Sequence, residues 1–287
     1  MNSRAAEIAA FFLAEPDAIV CELTSVRGSS PREQGTFMLV GKTALFGTIG
    51  GGALEHMVIE HARRLIANGQ AQDAMDVPLG PEIGQCCGGR VEVSLRYADT
   101  AMRDQLTKQV AAEDAALPHV FVFGAGHVGR ALAQMLALLP VRLEVIDTRR
   151  DELDLLPEHI PARAVAMPEA VVRSAPQGSS YVVLTHDHAL DFLIAQEALA
   201  RTDSPYVGMV GSRTKRARFS SWFKAEGGDA KALERLVLPI GQMGLGDKRP
   251  EVIAALAAAE IMVHIGQREA EIARARAPKS LGAVIGR

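Results

Sequence analysis

The first hundred residues of the chain alternate between apolar and polar positions in short runs of two kinds. Runs rich in Ile, Val, Thr and Phe, or with strict alternation, favour strands, whereas apolar residues at helical spacing favour helices. In chain order these runs predict a helix at 4–13, strands at 17–26 and 36–40, a helix at 53–67 and a strand at 91–97. We therefore expect an N-terminal α+β domain over residues 1–100.

From His119 onward, apolar runs alternate with amphipathic stretches, which implies a parallel sheet covered by helices on both faces. The runs predict strands at 119–123, 142–147, 162–167, 180–185 and 205–210, and helices at 127–139, 188–201, 212–226 and 250–266. Five strands in this order predict a Rossmann-like domain over residues 118–287. The polar, alanine-rich segment 101–117 is expected to be a helix or a helical linker between the domains. The expected fold class is α/β, a C-terminal Rossmann-like parallel sheet with an N-terminal α+β domain.

Composition narrows the class of protein. The 287 residues are 48% hydrophobic and 23% charged, as in an ordinary soluble protein with two domains. A formal net charge of −3 gives no reason to expect binding to nucleic acid or to a membrane. Three cysteines are too few for a disulfide framework and favour a reducing compartment. Since we find neither a signal-peptide pattern nor an uncharged run that could span a bilayer, we expect a cytoplasmic protein.

A glycine-rich turn joins the first strand and the first helix of the C-terminal domain. Gly124, Gly126 and Gly129 form a GxGxxG pattern, and His127 begins the helix. The first glycine permits a tight turn, the second lets a phosphate approach the backbone, and the third lets the helix pack on the strand. Asp147 ends the second strand, where an acid binds ribose hydroxyls in dinucleotide enzymes. This context predicts a Rossmann fold, but the fold does not determine the ligand.

Two further turns follow later strands of the same domain. His186, in Thr185-His186-Asp187-His188, is expected to donate a hydrogen bond to a cofactor or partner. A metal site there is disfavoured because residues two apart on a turn need not converge. Ser212 is expected to cap the helix that follows, whose cations are Arg213, Lys215, Arg216 and Arg218. These cations predict either a clamp for phosphate or carboxylate or a solvated basic face.

The loop Gly84-Gln85-Cys86-Cys87-Gly88-Gly89 contains two of the three cysteines. Thiolates are ligands for soft metal centres, so the loop suits such a centre, a sulfur atom or an anionic cofactor. Burial of the cysteines as small hydrophobic residues is the alternative. Adjacent cysteines do not match C-x-x-C spacing, which disfavours zinc. Together with the polar or glycine-rich loops 27–32 and 47–52, this loop suggests a ligand-facing surface.

Taken in order, these motifs resemble the XdhC/CoxI family, accessory proteins of molybdenum hydroxylases such as xanthine dehydrogenase. The resemblance covers most of the chain. It rests on Gly28-Ser29-Ser30-Pro31, Gly47 to Gly52 with Glu55, Gly84 to Gly89, Phe123 to Gly129, Thr185 to His188, Tyr206 to Ser212, Leu238-Pro239-Ile240-Gly241, Arg249-Pro250-Glu251 and Ala259-Glu260-Ile261. One departure is Gln242-Met243-Gly244-Leu245-Gly246, where acidic or small residues are expected.

The resemblance implies a chaperone without turnover of its own that carries the molybdenum cofactor, a molybdopterin holding molybdenum. Family members protect the cofactor, present it to a cysteine desulfurase that replaces an oxo by a sulfido ligand, and insert it into the apoenzyme. The implied partners are an apo molybdenum hydroxylase such as xanthine dehydrogenase, a cysteine desulfurase and cofactor biosynthesis proteins, and a homodimer is expected. Cys86 and Cys87 are expected to contact molybdenum through the cofactor. The other expected cofactor-binding residues are Gly88, Gly124, Gly126, His127, Gly129, Asp147, His186, Ser212 and Arg213.

Two alternatives remain open. An NAD(P)-dependent oxidoreductase would use the GxGxxG turn and Asp147, although the sequence shows no constellation for hydride transfer. A persulfide relay would carry sulfur covalently on Cys86 or Cys87. Binding of nicotinamide nucleotides without affinity for molybdopterin would favour the enzyme, and a sulfur adduct on the cysteine loop would favour the relay.

Overall fold

A computed structural model describes residues 4–81, 88–242 and 245–276. The chain divides into two compact units, residues 2–116 and residues 117–287. Cys86 and Cys87, which the sequence predicts to contact a cofactor, lie outside the described residues, as does the Met243-Gly244 part of the departing loop. None of the helices in the described ranges is both long enough and apolar enough to cross a membrane.

In its described residues, the N-terminal unit is a five-stranded antiparallel sheet between two layers of helices. Its elements are α1 (Arg4–Ala14), β1 (Ile19–Arg27), β2 (Phe37–Val40), β3 (Leu45–Gly47), α2 (Gly52–Asn68), β4 (Gln72–Pro78), β5 (Arg90–Tyr97) and α3 (Thr100–Ala116), with the sheet order β3-β2-β1-β5-β4. Cys21 and Leu23 of β1 pack with α2, and Val20 packs with α1 and α3. Both faces of β1 are therefore buried, which explains its nearly continuous apolar run.

Residues 101–117, predicted to be a helix or a helical linker, form most of α3, which belongs to the N-terminal unit. Helix α3 packs against α1, and Arg4 forms an ion pair with Glu113 at 3.6 Å. Val110 is the buried residue of this helix. Because so little of α3 is covered, its sequence is polar and lacks an apolar stripe.

The C-terminal unit has a six-stranded parallel sheet covered on both faces, which confirms the Rossmann-like prediction. Its elements are β6 (His119–Phe123), α4 (His127–Leu136), β7 (Arg142–Asp147), α5 (Arg150–Leu153), β8 (Ala162–Ala164), α6 (Pro168–Ser174), β9 (Ser180–Val183), α7 (His188–Ala200), β10 (Val207–Met209), α8 (Arg213–Ala225), β11 (Leu236–Val237) and α9 (Pro250–Arg276). The strand order is β11-β10-β9-β6-β7-β8. The order therefore reverses between β6 and β9, where open α/β sheets bind their ligands.

Each face of the parallel sheet has its own core. Val120 and Val122 of β6 pack with α4 and α9, whereas Phe121 and Phe123 pack with α6, α7 and α8. This two-sided burial produces the apolar runs from which the strands were predicted.

Several short elements were not predicted from the sequence. The N-terminal edge strands β3 and β4 are mostly exposed, so they lack the apolar alternation that marks a half-buried strand. The C-terminal sheet has six strands in the described residues rather than five, because β11 contains two residues and is too short to show a period. Helices α5 and α6, with four and seven residues, are likewise too short for their apolar residues to show a helical period.

Candidate functional site

The glycine turn lies at the carboxyl end of β6, beside the point where the strand order reverses. Gly124 has φ +112°, and a Cβ there would lie 2.4 Å from the carbonyl oxygen of Leu184. A Cβ on Gly129 would lie 1.9 Å from the carbonyl oxygen of Gly124. Both glycines are therefore required by the packing of β6 against α4 and the end of β9.

Gly126 is different because no contact within the fold requires it to be glycine. Its φ of −66° is accessible to any residue, and a Cβ there would meet no atom of the described residues within 4 Å. It occupies the N-cap position of α4 without a side-chain hydrogen bond to the helix. The first N–H groups of a helix attract anions. The missing side chain thus leaves open space at the positive end of α4, and exposed His127 begins the same helix.

Asp147 lies at the carboxyl end of β7 with its side chain buried. One carboxylate oxygen accepts the backbone N–H of Ala125 at 2.8 Å, and the other accepts the backbone N–H of Arg149 at 3.0 Å. The Arg149 guanidinium donates to both oxygens, at 3.2 Å each. Burial alone would raise the pKa of Asp147, but these donors outweigh it and hold the pKa below its usual value.

The charges around Asp147 form a closed ring that begins and ends at Ala125. Arg149 also donates to Glu152 at 3.2 Å, and Arg130 donates to the other oxygen of Glu152 at 2.8 Å. Arg130 in turn donates to the carbonyl oxygen of Ala125 at 2.7 Å. Ala125 lies inside the glycine turn, so the ring holds the turn through both the N–H and the carbonyl oxygen of this residue.

A second charged cluster joins the carboxyl ends of β9 and β10. Asp191 is fully buried and accepts the N–H and the hydroxyl of Thr185, at 3.0 and 2.7 Å. Lys215 donates to Asp191 and, at 2.9 Å, to the carbonyl oxygen of Val210. A Cβ on Gly211 would lie 2.6 Å from the Lys215 side chain, so a glycine there lets the lysine cross between the loops.

This geometry corrects the interpretation of the basic run on α8. Lys215 points inward to Asp191, and Arg216 donates to the carbonyl oxygens of Leu236 and Leu238 at 3.2 and 2.9 Å. Lys215 is therefore not available to an external anion, and one Nη of Arg216 is used by carbonyl oxygens. Exposed Arg213 and Arg218 keep their charges at the surface.

The remaining predicted residues of this unit lie on the same carboxyl edge of the sheet. His186 and His188 are exposed in the turn after β9, and Asp187 caps α7 by accepting the N–H of Ala189 at 2.8 Å. Ser212 caps α8 by accepting the N–H of Lys215 at 3.2 Å. Across the described ranges, no group of three or more His, Cys, Asp or Glu side chains could hold a metal ion.

The polar and glycine-rich loops of the N-terminal unit contact one another. Glu55 accepts the Thr48 hydroxyl at 2.5 Å and the N–H of Gly51 at 3.0 Å, which holds the loop 47–52 in place. A Cβ on Gly50 would lie 2.6 Å from the ring of Pro31.

Gly88, a predicted cofactor-binding residue, lies beside this loop cluster. It has φ +68° and donates its N–H to the carbonyl oxygen of Leu79 at 2.8 Å. A Cβ on the next residue, Gly89, would lie 2.1 Å from the carbonyl oxygen of Ser29. The loops 27–32 and 47–52 therefore lie together with Gly88 and Gly89.

Comparison with known proteins matches both units. A family model described as the XdhC Rossmann domain matches residues 120–261, and one described as the XdhC and CoxI family matches residues 14–77. The chain belongs to the XdhC/CoxI family.

Two individual proteins are similar to this XdhC/CoxI chain. The uncharacterized protein YqeB of Escherichia coli (strain K12) is 28% identical over 260 residues, which cover 85% of this chain and 42% of YqeB. The chain thus spans less than half the length of this curated relative. A crystal structure from Bacillus halodurans, described as a xanthine dehydrogenase, has a TM-score of 0.77 at 17% identity, covering 93% of this chain and 96% of that one. At this identity the likeness shows the fold.

Some segments that carry the XdhC/CoxI resemblance serve the interior of the fold. The Tyr206 hydroxyl donates to Glu260 at 2.9 Å, and the N–H of Gly241 donates to the same oxygen at 3.2 Å. The Tyr206 ring lies over Gly208, where a Cβ would be 2.5 Å from it. Burial, together with the nearby Glu260 charge, raises the pKa of Tyr206. This contact ties β10, the segment after β11 and α9 together.

Sequence reasoning missed the partners that organise the site, including Arg130, Arg149, Glu152 and Asp191. The spacing of Arg149 and Glu152, three apart at a helix start, is the one signal that could have indicated an ion pair. Asp191 and Lys215 are 24 positions apart, so no local pattern links them.

Proposed function

We propose that this protein is an accessory factor in the maturation of a xanthine dehydrogenase-type molybdenum hydroxylase, and that it carries the molybdenum cofactor as cargo. Membership of the XdhC/CoxI family supports the maturation role. The observation that carries the binding proposal is the open position at Gly126, at the positive end of α4.

The cofactor's phosphate is the part that the glycine turn suits. Helix N–H groups and the absent side chain of Gly126 together accommodate an anionic oxygen close to the backbone. Exposed His127 lies at the start of the same helix, and a groove of about 450 Å³ runs from it along α4 to Leu138. The groove supports binding of a ligand larger than a phosphate group.

A carrier without turnover agrees with the pairing of charges in this unit. Asp147 is bonded to Arg149, Glu152 to Arg149 and Arg130, and Asp191 to Lys215. Carboxylates that are already paired with cations are poor general bases. These acids therefore serve to position loops in our proposal.

The finer parts of the proposal concern partners and the cysteine loop. We propose that an apo molybdenum hydroxylase receives the cargo, that a cysteine desulfurase and cofactor biosynthesis proteins act before it, and that the carrier is a cytoplasmic homodimer. Cys86 and Cys87 remain the predicted contacts to the molybdenum and its sulfur ligand, because thiolates match soft centres.

Anaerobic purification followed by molybdopterin analysis tests this function. We expect wild-type protein and a Gly266→Ala control to retain molybdopterin, since Gly266 is also open but lies far along α9. Gly126→Ala should lose most of it. Absence of molybdopterin from the wild type, together with normal sulfuration of the target hydroxylase in a deletion strain, would refute the proposal.

The second candidate, an NAD(P)-dependent oxidoreductase, depends on the same glycine turn. Titration with NADH separates the two functions. Micromolar binding of NADH by a protein that does not retain molybdopterin would favour the enzyme.

A further inference from the structure

The carboxylate at the end of β7 is where a Rossmann domain ordinarily distinguishes one ligand from another. An acidic residue that recognises ribose accepts hydrogen bonds from the sugar hydroxyls through its carboxylate oxygens. Asp147 occupies this position, as the last residue of β7 and against the glycine turn. Whether Asp147 can bind ribose hydroxyls therefore depends on how many of its carboxylate lone pairs already accept hydrogen bonds within the protein.

Asp147 has no acceptor capacity left. An ionised carboxylate accepts about four hydrogen bonds. One oxygen accepts the backbone N–H and the Nε of Arg149, and the other accepts the N–H of Ala125 and an Nη of Arg149. Four donors thus surround the two oxygens, and three of the four come from Arg149.

Arg149 is also held from its far side. Its other Nη donates to Glu152, whose second oxygen is bonded to Arg130. Arg130 ends on the carbonyl oxygen of Ala125. Moving Arg149 away to free Asp147 would therefore break bonds to two carboxylates, one of which is buried. A carboxylate that stays buried after losing its cation keeps a large uncompensated desolvation cost.

We infer that Arg149 is a specificity-determining residue that closes Asp147 to ribose, so that the cleft selects its ligand by the phosphate and not by the sugar. This inference rests on the phosphate site of the proposed function. It names the ligand class as a phosphate ester whose attached group is not read through a 2′,3′-diol. A molybdopterin has a phosphate without that diol, whereas a nicotinamide dinucleotide depends on it.

Calorimetric titration with ADP and 2′-deoxy-ADP tests the inference on the full chain. The wild type should bind both through their diphosphates with dissociation constants within about twofold of each other, and Gly126→Ala should weaken both at least tenfold. In Arg149→Ala, two side-chain donors leave Asp147, so ADP should become preferred by about tenfold, the worth of one hydrogen bond to a charged group. Arg150→Ala is the matched control, because Arg150 is exposed and next in sequence, and it should behave as wild type.

A wild type that prefers ADP over 2′-deoxy-ADP by tenfold, or that binds neither nucleotide, would overturn the inference without any variant. An unchanged ratio in folded Arg149→Ala, verified by its thermal melting, would also overturn it. The outcome is separable from that of the proposed function. Equal affinities for ADP and 2′-deoxy-ADP in a protein that retains no molybdopterin would support the inference and refute the proposed carrier role.

Discussion

Gly126 and Gly129, two of the three glycines in the turn at residues 124–129, should respond differently to alanine. In Gly129→Ala the new Cβ would lie 1.9 Å from the Gly124 carbonyl oxygen, so backbone must move. Forcing atoms into a packed region costs about 1–3 kcal/mol, and we expect about 3 kcal/mol because the obstacle is backbone.

In Gly126→Ala the φ of −66° suits alanine and the Cβ meets no described atom within 4 Å. Because alanine reduces the conformational freedom of the unfolded chain, the substitution stabilises the folded protein by about 0.4–1 kcal/mol. Alanine is a poorer N-cap than glycine by about 0.5–1 kcal/mol. These two effects nearly cancel, so stability should hardly change while binding of ADP or molybdopterin is lost.

Urea unfolding followed by tryptophan fluorescence measures the difference in stability between these two variants, because the fluorescence reports on the C-terminal unit, which contains the turn. The chain has one tryptophan, Trp222, which packs against Phe192 and Phe219 in the C-terminal unit. Gly266→Ala serves as the control for an open glycine. Equal destabilisation by Gly126→Ala and Gly129→Ala, or undiminished ligand binding by Gly126→Ala, would refute the assignment of Gly126 to a ligand.

Three other substitutions test separate parts of the structure. Lys215→Met should lower the free energy of unfolding in the Trp222 assay by about 3–5 kcal/mol, because fully buried Asp191 loses its cation. Arg218→Met, at an exposed position, is the control. A loss below about 1 kcal/mol in Lys215→Met would contradict the pairing. Glu15→Gln should destabilise the N-terminal unit at neutral pH, because the Thr43 hydroxyl and nearby backbone N–H groups lower the pKa of Glu15 from 4.5 to about 2. That stabilisation is complete above the unfolded pKa and is lost as pH falls toward 2, so circular dichroism melts of variant and wild type should converge in acid and a constant difference would count against it. Cys86→Ala and Cys87→Ala should each weaken molybdopterin retention while buried Cys21→Ala should not, and unchanged target activation in both loop variants would indicate a structural role.

Hydrophobic periodicity was a good guide wherever an element buries a full face. The bounds predicted for β6 and β7 agree with the structure, as does the start of α4. It failed at exposed edge strands such as β4 and left α3 as either a helix or a helical linker, because these elements bury few residues. Periodicity measures burial, so an element that buries little leaves little trace.

In the candidate site, the sequence located the glycine turn but could not determine the direction of a charged side chain. The sequence located Gly124, Gly126 and Gly129 correctly after a strand, and the structure shows that two of them serve packing. It also placed Lys215 either in an anion clamp or on a solvated basic face, whereas the structure directs this lysine to Asp191. The sign of a charge is visible in the sequence, but the direction of its side chain depends on neighbours from other elements.

The sequence by itself determined the class of the fold, the position of the glycine turn and the family, because these depend on local order and spacing along one chain. The tertiary structure alone decided which of these residues are free to meet a ligand. Asp147 is occupied by Arg149 and Ala125, and Asp191 by Lys215, whereas a Cβ added at Gly126 would have no contact within 4 Å among the described residues. The physical reason is that hydrogen-bond capacity is finite, and the donors that exhaust it come from positions as far apart as 22 and 24 residues.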